Sequence, residues 1–492
     1  MAALYADVQH LEQLVRAFAQ AFGPSGHEDP IRALIRRYVE PLADQVSVDA
    51  LGNLIAFVRG RGGPGARRVM LAAHMDEIGL MVTHIDDKGF LRFAPIGGHG
   101  PATLVGQRVV FADGTAGVIG VEKLDDVKDL KLDRLFIDIG AEDRAAAEGR
   151  VQVGSAAVFA REVTAAGSRL TGKALDDRSG CAVLVEVMRH LRAESVPHDV
   201  YCVFSVQEEV GLRGARTAAY AIAPDLALAV DVTASGDTPK GETLNMQLGK
   251  GTAIKVKDNS LIAHPWVRQL LVDAARAHGI PYQMEVLPYG GTDAGAIHLT
   301  RSGVPAGALS IPTRYLHTPA EMLDLRDVAA TVDLLVTVLR QGRAGRVTSA
   351  QRSRWTAAPA GPGQVHPFAR VHILVAGAAF PMRCQTMRAA VQRAWVLDNM
   401  EKIGPGGFYH LAYAHHQISP GFIEAMQKAT HYGKIHVCLL ADDGTALDAA
   451  DGEVIAIHWF PEFIRIHFMI ENLRPLSEAP RVPWPGPYML AR

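Results

Sequence analysis

Five places in this 492-residue chain set acids or histidines at the end of an apolar run, where a buried strand would stop. "RVMLAAHMD" carries His74 and Asp76, and "LTGKALDDRSG" puts Asp176 and Asp177 ahead of a helix. "VYCVFSVQEEVG" carries Glu208 and Glu209, "LALAVDVT" carries Asp231, and "LSIPTRYLHT" leads to His317. Burying such groups unpaired costs on the order of 2–7 kcal/mol even for a neutral polar group. Something in the folded chain must make them favourable. Functional groups in open α/β sheets gather at the carboxyl ends of strands, so one crevice could collect all five places.

Two imidazoles and at least three carboxylates, with no thiolate, suit zinc, cobalt or manganese and argue against iron–sulfur or copper(I) chemistry. Three anionic ligands against two divalent ions leave a net charge of about +1, which a bridging hydroxide would neutralise; two-metal hydrolases hold their ions roughly 3.5–4 Å apart. Asp176, in a loop before a helix, could reach both. Glu208 and Glu209 are neighbours at a strand end and point in different directions, so one can bind metal while the other acts on the water as general base. Asp76, two residues past His74 and on its side of the chain, could orient the imidazole. Glu77 faces the other way and is given no catalytic role. Taken singly, each motif has a bland explanation: a satisfied polar residue, an N-cap, a solvated pair. Five of them interrupting successive buried runs argue for one site.

The elements that must position these groups follow from periodicity. Leu11, Leu14, Val15, Phe18 and Phe22 form the stripe of an amphipathic helix; Asp29 as N-cap with Pro30 at the first turn starts a second, striped by Ile31, Leu34, Ile35 and Tyr38. "VSVDALGNLIAFV" reads as a hairpin turning at Gly52-Asn53. From about 78 to 165 short strands alternate with Gly, Pro and Asp turns, including hairpins through Asp87-Lys88-Gly89 and within "QRVVFADGTAGVIG". From about 170 to 340 the strands "DVYCVFSV", "LALAVDV", "YQMEVLP" and "AGALSIP" alternate with helices at 178–194, 264–278 and 323–341. The expected fold is α/β, a mixed sheet with helices on both faces and an inserted β-rich module. Residues 1–77 and 166–342 form the main domain and 78–165 the insert. Residues 343–368 gather Pro, Gly, Ser and Arg and read as a linker. Residues 369–492 form an α+β segment with strands "VHILVAG", "KIHVCLL", "EVIAIHWF" and "FIRIHFM" and a helix "QTMRAAVQRAWVLDNME".

A net charge of −2 gives no general reason to expect nucleic acid or an anionic membrane as partner. No apolar stretch reaches the length of a membrane span, and the N-terminus lacks the features of a signal peptide. Cys181, Cys202, Cys384 and Cys438 lie far apart, as buried thiols of a reducing compartment do; cytoplasmic residence is expected. Ser25 in "GPSG" lacks the context of a nucleophile elbow. His84, His99, His264 and His298 read as structural or surface groups, with His99 in "GGHG" able to approach the cleft. His436, His458 and His467 stand in neighbouring expected strands of unknown register, and no metal site is read there.

Residues 1 to about 340 also resemble metallopeptidase family 42, the tetrahedral aminopeptidases of the zinc exopeptidase clan. The likeness runs in order through "PSGHE", "AAHMDEIGLMVTHID", "LFIDIGA", "KALDDRSG", "EEVGLRGA", "DVTASGDTP", "GGTDAGAIH" and "PTRYLHTPAEM". The resemblance implies a zinc-exopeptidase-type sheet with an inserted β-rich domain. It implies two divalent metals, zinc or cobalt first and manganese next, held by His74, Asp176, Glu209, Asp231 and His317. Asp176 would bridge, Glu208 would be general acid/base, and Asp76 would support His74. The implied activity is removal of N-terminal residues from peptides with a free N-terminus by a metal-bound hydroxide. The implied assembly is a homo-oligomer, from dimers up to a dodecamer. The C-terminal segment lies outside the resemblance and could be a binding module. Two rival enzyme readings are an endoglucanase-type glycoside hydrolase and an amidohydrolase of N-acyl amino acids.

Overall fold

Along Arg68–His74 the side chains divide by parity. Val69, Leu71 and Ala73 join one apolar cluster, while Met70 and Ala72 join another; this is the two-residue period of a strand buried on both faces. Leu226–Ala234 repeats the division, with Leu226, Leu228, Val230 and Val232 on the first side and Ala227 and Ala229 on the second. Along these two strands the larger residues thus mostly back one face and, Met70 apart, alanines the other. By parity, His74 and Asp231 continue the small-residue series, where room for polar groups remains.

The computed structural model describes residues 4–63 and 66–341 in full and, beyond them, the backbone of five strands. The main sheet has 11 strands; nine follow the path Gln45–Val48, Leu54–Val58, Asp199–Ser205, Arg68–His74, Leu226–Ala234, Ala306–Arg314, Glu321–Asp324, Arg169–Gly172, Thr164–Ala166, and Thr252–Lys257 with Tyr282–Val286 branch from Ala306–Arg314. The four strands from Asp199–Ser205 to Ala306–Arg314 are mutually parallel, so their carboxyl ends open on one edge. Helices Val8–Gln20, Leu175–Ala193, Pro265–His278 and Leu325–Arg340 cover the large-residue face. Arg213–Ile222 and Asp293–Ile297 cover the other. This is the α/β sheet with helices on both faces that periodicity predicts.

Six further strands, Gly79–Ile85, Leu91–Ile96, Leu135–Asp138, Ala116–Val121, Arg108–Phe111 and Ala156–Phe159, close in that order into a barrel. It is filled by its own cluster, with Leu80, Val109, Ile119 and Ile137 at the centre. Its first hairpin turns where expected: the Asp86 carboxylate accepts from the Lys88 and Phe90 amides.

Some boundaries move. The second helix spans Asp29–Val39 with Glu28, not Asp29, at its N-cap; Glu28 makes no side-chain capping bond and accepts from the Gly26 and Gln207 amides. The helices expected at 178–194 and 264–278 span Leu175–Ala193 and Pro265–His278. The one expected at 323–341 spans Leu325–Arg340, preceded by the strand Glu321–Asp324.

The chain divides into two compact units, Met1–Ala344 and Gly345–Arg492. In the second, Phe368–Val375, Lys434–Ala441, Ala446–Trp459, Phe463–Pro475 and Phe408–Ala414 pair in that order as an antiparallel sheet. The strand Phe408–Ala414 was not anticipated. Its register sets His410 opposite His467, while His458 lies opposite Arg465 and His436 opposite Asp451. The helix expected at 385–401 and most of the linker lie outside the described residues. No helix among the described residues is long and apolar enough to cross a membrane.

Glu77, set aside for catalysis, has a structural task. Its buried carboxylate accepts from Lys173 Nζ at 2.7 and 2.9 Å and from Arg178 at 3.4 Å. Arg178, fully buried, also donates to the carbonyls of Phe18, Ala21 and Gly23. The network ties the end of the first helix to the start of Leu175–Ala193. Glu77→Ala leaves two buried cations without their counter-charge, and removing one partner of such a network destabilises by about 3–5 kcal/mol. Urea unfolding of the variant should show that loss.

Candidate metal centre

At the open edge of the parallel strands the five predicted ligands converge. His74 Nε2 lies 3.0 Å from Asp176 Oδ1 and 3.8 Å from Asp231 Oδ1. His317 Nε2 lies 3.3 Å from Asp176 Oδ2 and 3.4 Å from Glu209 Oε2. These are two triads, His74–Asp176–Asp231 and Asp176–Glu209–His317, each with its ligand atoms within 4.8 Å of one another. Asp176 belongs to both and turns one oxygen to each. The first triad is buried throughout, whereas the His317 side chain is 37% exposed.

Buried carboxylates outside the triads hold these residues in place through the backbone. Asp76 Oδ1 accepts from the Glu208 amide at 3.0 Å and Oδ2 from the Glu209 amide at 3.2 Å. Its Oδ2 also accepts from the Ser25 hydroxyl at 2.6 Å. Asp76 faces His74 Nδ1 as well, at 3.5 Å through its carboxylate and 3.1 Å through its carbonyl. Glu321 accepts from the amides of Asp176 and His317, both at 3.0 Å. Asp177 accepts from the His74 amide and caps Gly180. Ala174, Gln207, Tyr315 and His317 adopt positive φ without being glycine. Such backbone persists only where surrounding contacts over-determine it, and it clusters at functional sites.

The electrostatics describe a pocket with too much negative charge for its dielectric. Burial, reinforced by neighbouring carboxylates, raises Glu208, Asp231 and Asp177 well above the carboxylate range and lifts Glu209 to about 7. Burial opposes a charged imidazole at His317, yet Glu209 and Asp176 raise it to about 10. His74 rises too, against its burial, through Glu208, Asp176 and Asp76. Glu209 Oε1 is buried without a hydrogen-bond partner. A buried orphan oxygen, oxygen and nitrogen donors, and surplus negative charge fit hard or borderline divalent cations. Glu208 belongs to neither triad, and its Oε2 stands 3.9 Å from His74 Nε2.

The triads open into a cavity of about 940 Å³. Across it, Arg314 is held by Asp237 in a two-pronged ion pair and Lys255 by Glu285. Sequence reasoning missed Ser25, Asp177 as a bracing residue, and Glu321. Glu321 follows His317 by four residues in "HTPAEM", yet its task is done through backbone amides and leaves no side-chain pattern to read. His99 does not line the cleft; its Nε2 bonds the Gly79 and Ile96 carbonyls.

Known proteins resemble the chain over this first unit. A sequence profile described as M42 glutamyl aminopeptidase matches residues 52–334. A putative aminopeptidase of Acetivibrio thermocellus is 48% identical over 334 residues, 68% of this chain and 99% of that protein. The structure of aminopeptidase APDkam598 from the archaeon Desulfurococcus kamchatkensis superposes with a TM-score of 0.65 at 43% identity, covering 68% of this chain and 95% of that one. The TET1 peptidase of Pyrococcus horikoshii, described as able to assemble into a tetrahedron or a large octahedral shell, superposes at 0.62 with 35% identity, covering 67% and 99%. The chain belongs to the M42 glutamyl aminopeptidase family, hydrolases that act on peptide bonds.

Proposed function

We propose that residues 1–342 form a two-metal aminopeptidase, with 1–77 and 166–342 as the catalytic domain and 78–165 as an inserted domain. One observation carries the metal count: Asp176 directs its two oxygens at two different histidines, each with a further carboxylate beside it. His74, Asp176 and Asp231 would hold one ion, and Asp176, Glu209 and His317 the other. Zinc or cobalt suits these donors best, with manganese next. When bound, the ions supply Lewis acidity toward the scissile carbonyl and activate water for attack.

The chain's own groups do the rest. Glu208, beside the first triad without belonging to it, takes a proton from the attacking water and passes it to the departing amine. Asp76 fixes Glu208 and Glu209 through their amides and keeps His74 turned toward the first triad. The carboxylates beside the bound metals, together with them, would hold a free α-amine, which confines cleavage to chain ends. A glycoside hydrolase would need two carboxyl groups flanking a sugar bond; here the carboxylates converge on two imidazoles instead. An amidohydrolase of N-acyl amino acids needs no free amine, so paired free and acetylated substrates separate that reading. Cytoplasmic residence is supported by the buried free thiols Cys181 and Cys202. Self-assembly is supported by the TET1 relative.

Three outcomes test the assignment. Glu208→Gln should keep wild-type metal content and lose turnover of aminoacyl-anilides by about 10²–10⁴-fold, the usual contribution of general acid–base catalysis; normal turnover would remove it from the mechanism. Asp231→Ala and His317→Ala should each lose metal by elemental analysis, more completely than Asp76→Ala, since loss of an outer partner weakens metal binding by about 10–100-fold. A chain ending at Ala344 should unfold cooperatively, bind metal and cleave the same substrates, because every assigned group lies in the first unit. An insoluble or inactive shortened chain would make the second unit part of the catalytic fold.

A further inference from the structure

The two histidines are braced by different means. A metal-binding imidazole ordinarily donates its far N–H to a carboxylate or carbonyl, which fixes the ring. His74 has Asp76 for this, but Nδ1 of His317 makes no hydrogen bond to any described residue, while Nε2 faces Asp176 and Glu209. What lies against the Nδ1 edge is the turn after the barrel strand Leu91–Ile96. A Cβ built on Gly98 would fall 2.9 Å from His317 Nδ1 and 3.4 Å from Cε1. One on Gly97 would fall 2.7 Å from Ile78 Cγ2, 3.2 Å from Glu209 Oε2 and 3.4 Å from the Glu209 Cβ. Gly97 also has φ +77°, closed to most side chains. The turn is pinned in turn: the next residue, His99, donates from Nε2 to the Gly79 carbonyl at 2.8 Å and the Ile96 carbonyl at 3.1 Å. Since both partners are acceptors, Nε2 carries the proton.

We propose that the Gly97–Gly98 turn is the positioning surface of the second triad, pressing His317 and Glu209 to the separation at which they share an ion with Asp176. The proposal rests on the reading that both triads hold metal. It makes the barrel part of the metal centre: two bare backbone units approach the ligands where any side chain would displace them. The first triad, built on Arg68–His74, Leu226–Ala234 and the start of Leu175–Ala193, needs no such support.

Cobalt(II) titration of the metal-free full chain tests this, read by visible absorption and by cobalt retained after desalting. The wild-type chain should retain two equivalents. Gly98→Ala should keep one at wild-type affinity and bind the other about 10–100-fold more weakly, the range for disturbing an outer partner of a ligand, with the spectrum of the second site altered. Gly100→Ala, whose Cβ meets only Thr103 Oγ1 at 3.8 Å, should keep both. His99→Leu, which releases the turn without adding bulk to it, should weaken the same equivalent, and His99→Gln, which keeps a donor, should restore it. Should Gly98→Ala fail to fold, the two His99 variants decide. A folded Gly98→Ala chain with both equivalents and an unchanged spectrum overturns the proposal, as does an unchanged His99→Leu. A wild-type chain holding fewer than two equivalents overturns the two-metal reading beneath it instead.

Discussion

Seven carboxylates, those of Asp76, Asp176, Asp177, Glu208, Glu209, Asp231 and Glu321, crowd one edge of the sheet with two imidazoles between them, and the rest of the structure is arranged around that repulsion. Burial raises the proton affinity of Asp177, Glu208, Asp231 and Glu321 well above the ordinary range. A pocket so charged opposes folding unless cations or protons neutralise it. The counterweight is the apolar packing on both faces of the sheet, together with Lys173 and Arg178 clamped on Glu77 a short way along the chain. Stability is drawn from the sheet and concentrated reactivity is placed at its rim.

Two of the seven, Asp76 and Glu321, act mainly as acceptors for backbone amides. Asp76 takes the amides of Glu208 and Glu209, and Glu321 those of Asp176 and His317. Each therefore sets two functional residues at once, one on either side of the centre. A carboxylate is suited to this because its two oxygens accept several N–H donors; the left-handed backbone at His317 is held by Glu321 and that at Gln207 by Glu28. Ligand spacing then becomes a property of main-chain geometry more than of flexible side chains.

Much of this was legible in the sequence, and the illegible part has a physical pattern. His74, Asp76, Asp176, Glu208, Glu209, Asp231 and His317 each interrupt or follow a buried apolar run, so the cost of burying them announced a site before any contact was known. The sheet was legible because "VMLAA" (69–73) and "LALAV" (226–230) are apolar at every position, as strands covered on both faces are. Glu77 was read as facing away, which is correct, but its pairing with Lys173 and Arg178 joins residues about a hundred positions apart and no periodicity encodes it. Ser25 and Glu321 stayed hidden for the same reason. The second helix starts at Asp29, one residue early, and Glu28 at its N-cap turns its side chain to the Gln207 amide instead of capping; local capping rules cannot see that partner.

The two triads also differ in what a sequence can say about them. The first has ligands on strands whose register is set by a ladder: Ser205 pairs with His74, and Ala229 with Ala72. A shift of one residue there would turn every side chain to the other face, so position is strongly specified by the hydrophobic pattern. The second draws Glu209 and His317 from loops beyond Ser205 and Arg314, where no ladder fixes register. Its geometry is supplied by Asp76, Glu321 and a glycine turn of the barrel, three separate tertiary contacts. The shared Asp176 is the hinge between these regimes, since its amide answers to Glu321 while its Oδ1 lies beside His74. A change in the loops or barrel should therefore reach the second triad directly and the first only through Asp176 and through Asp76, which joins the Glu209 amide to His74.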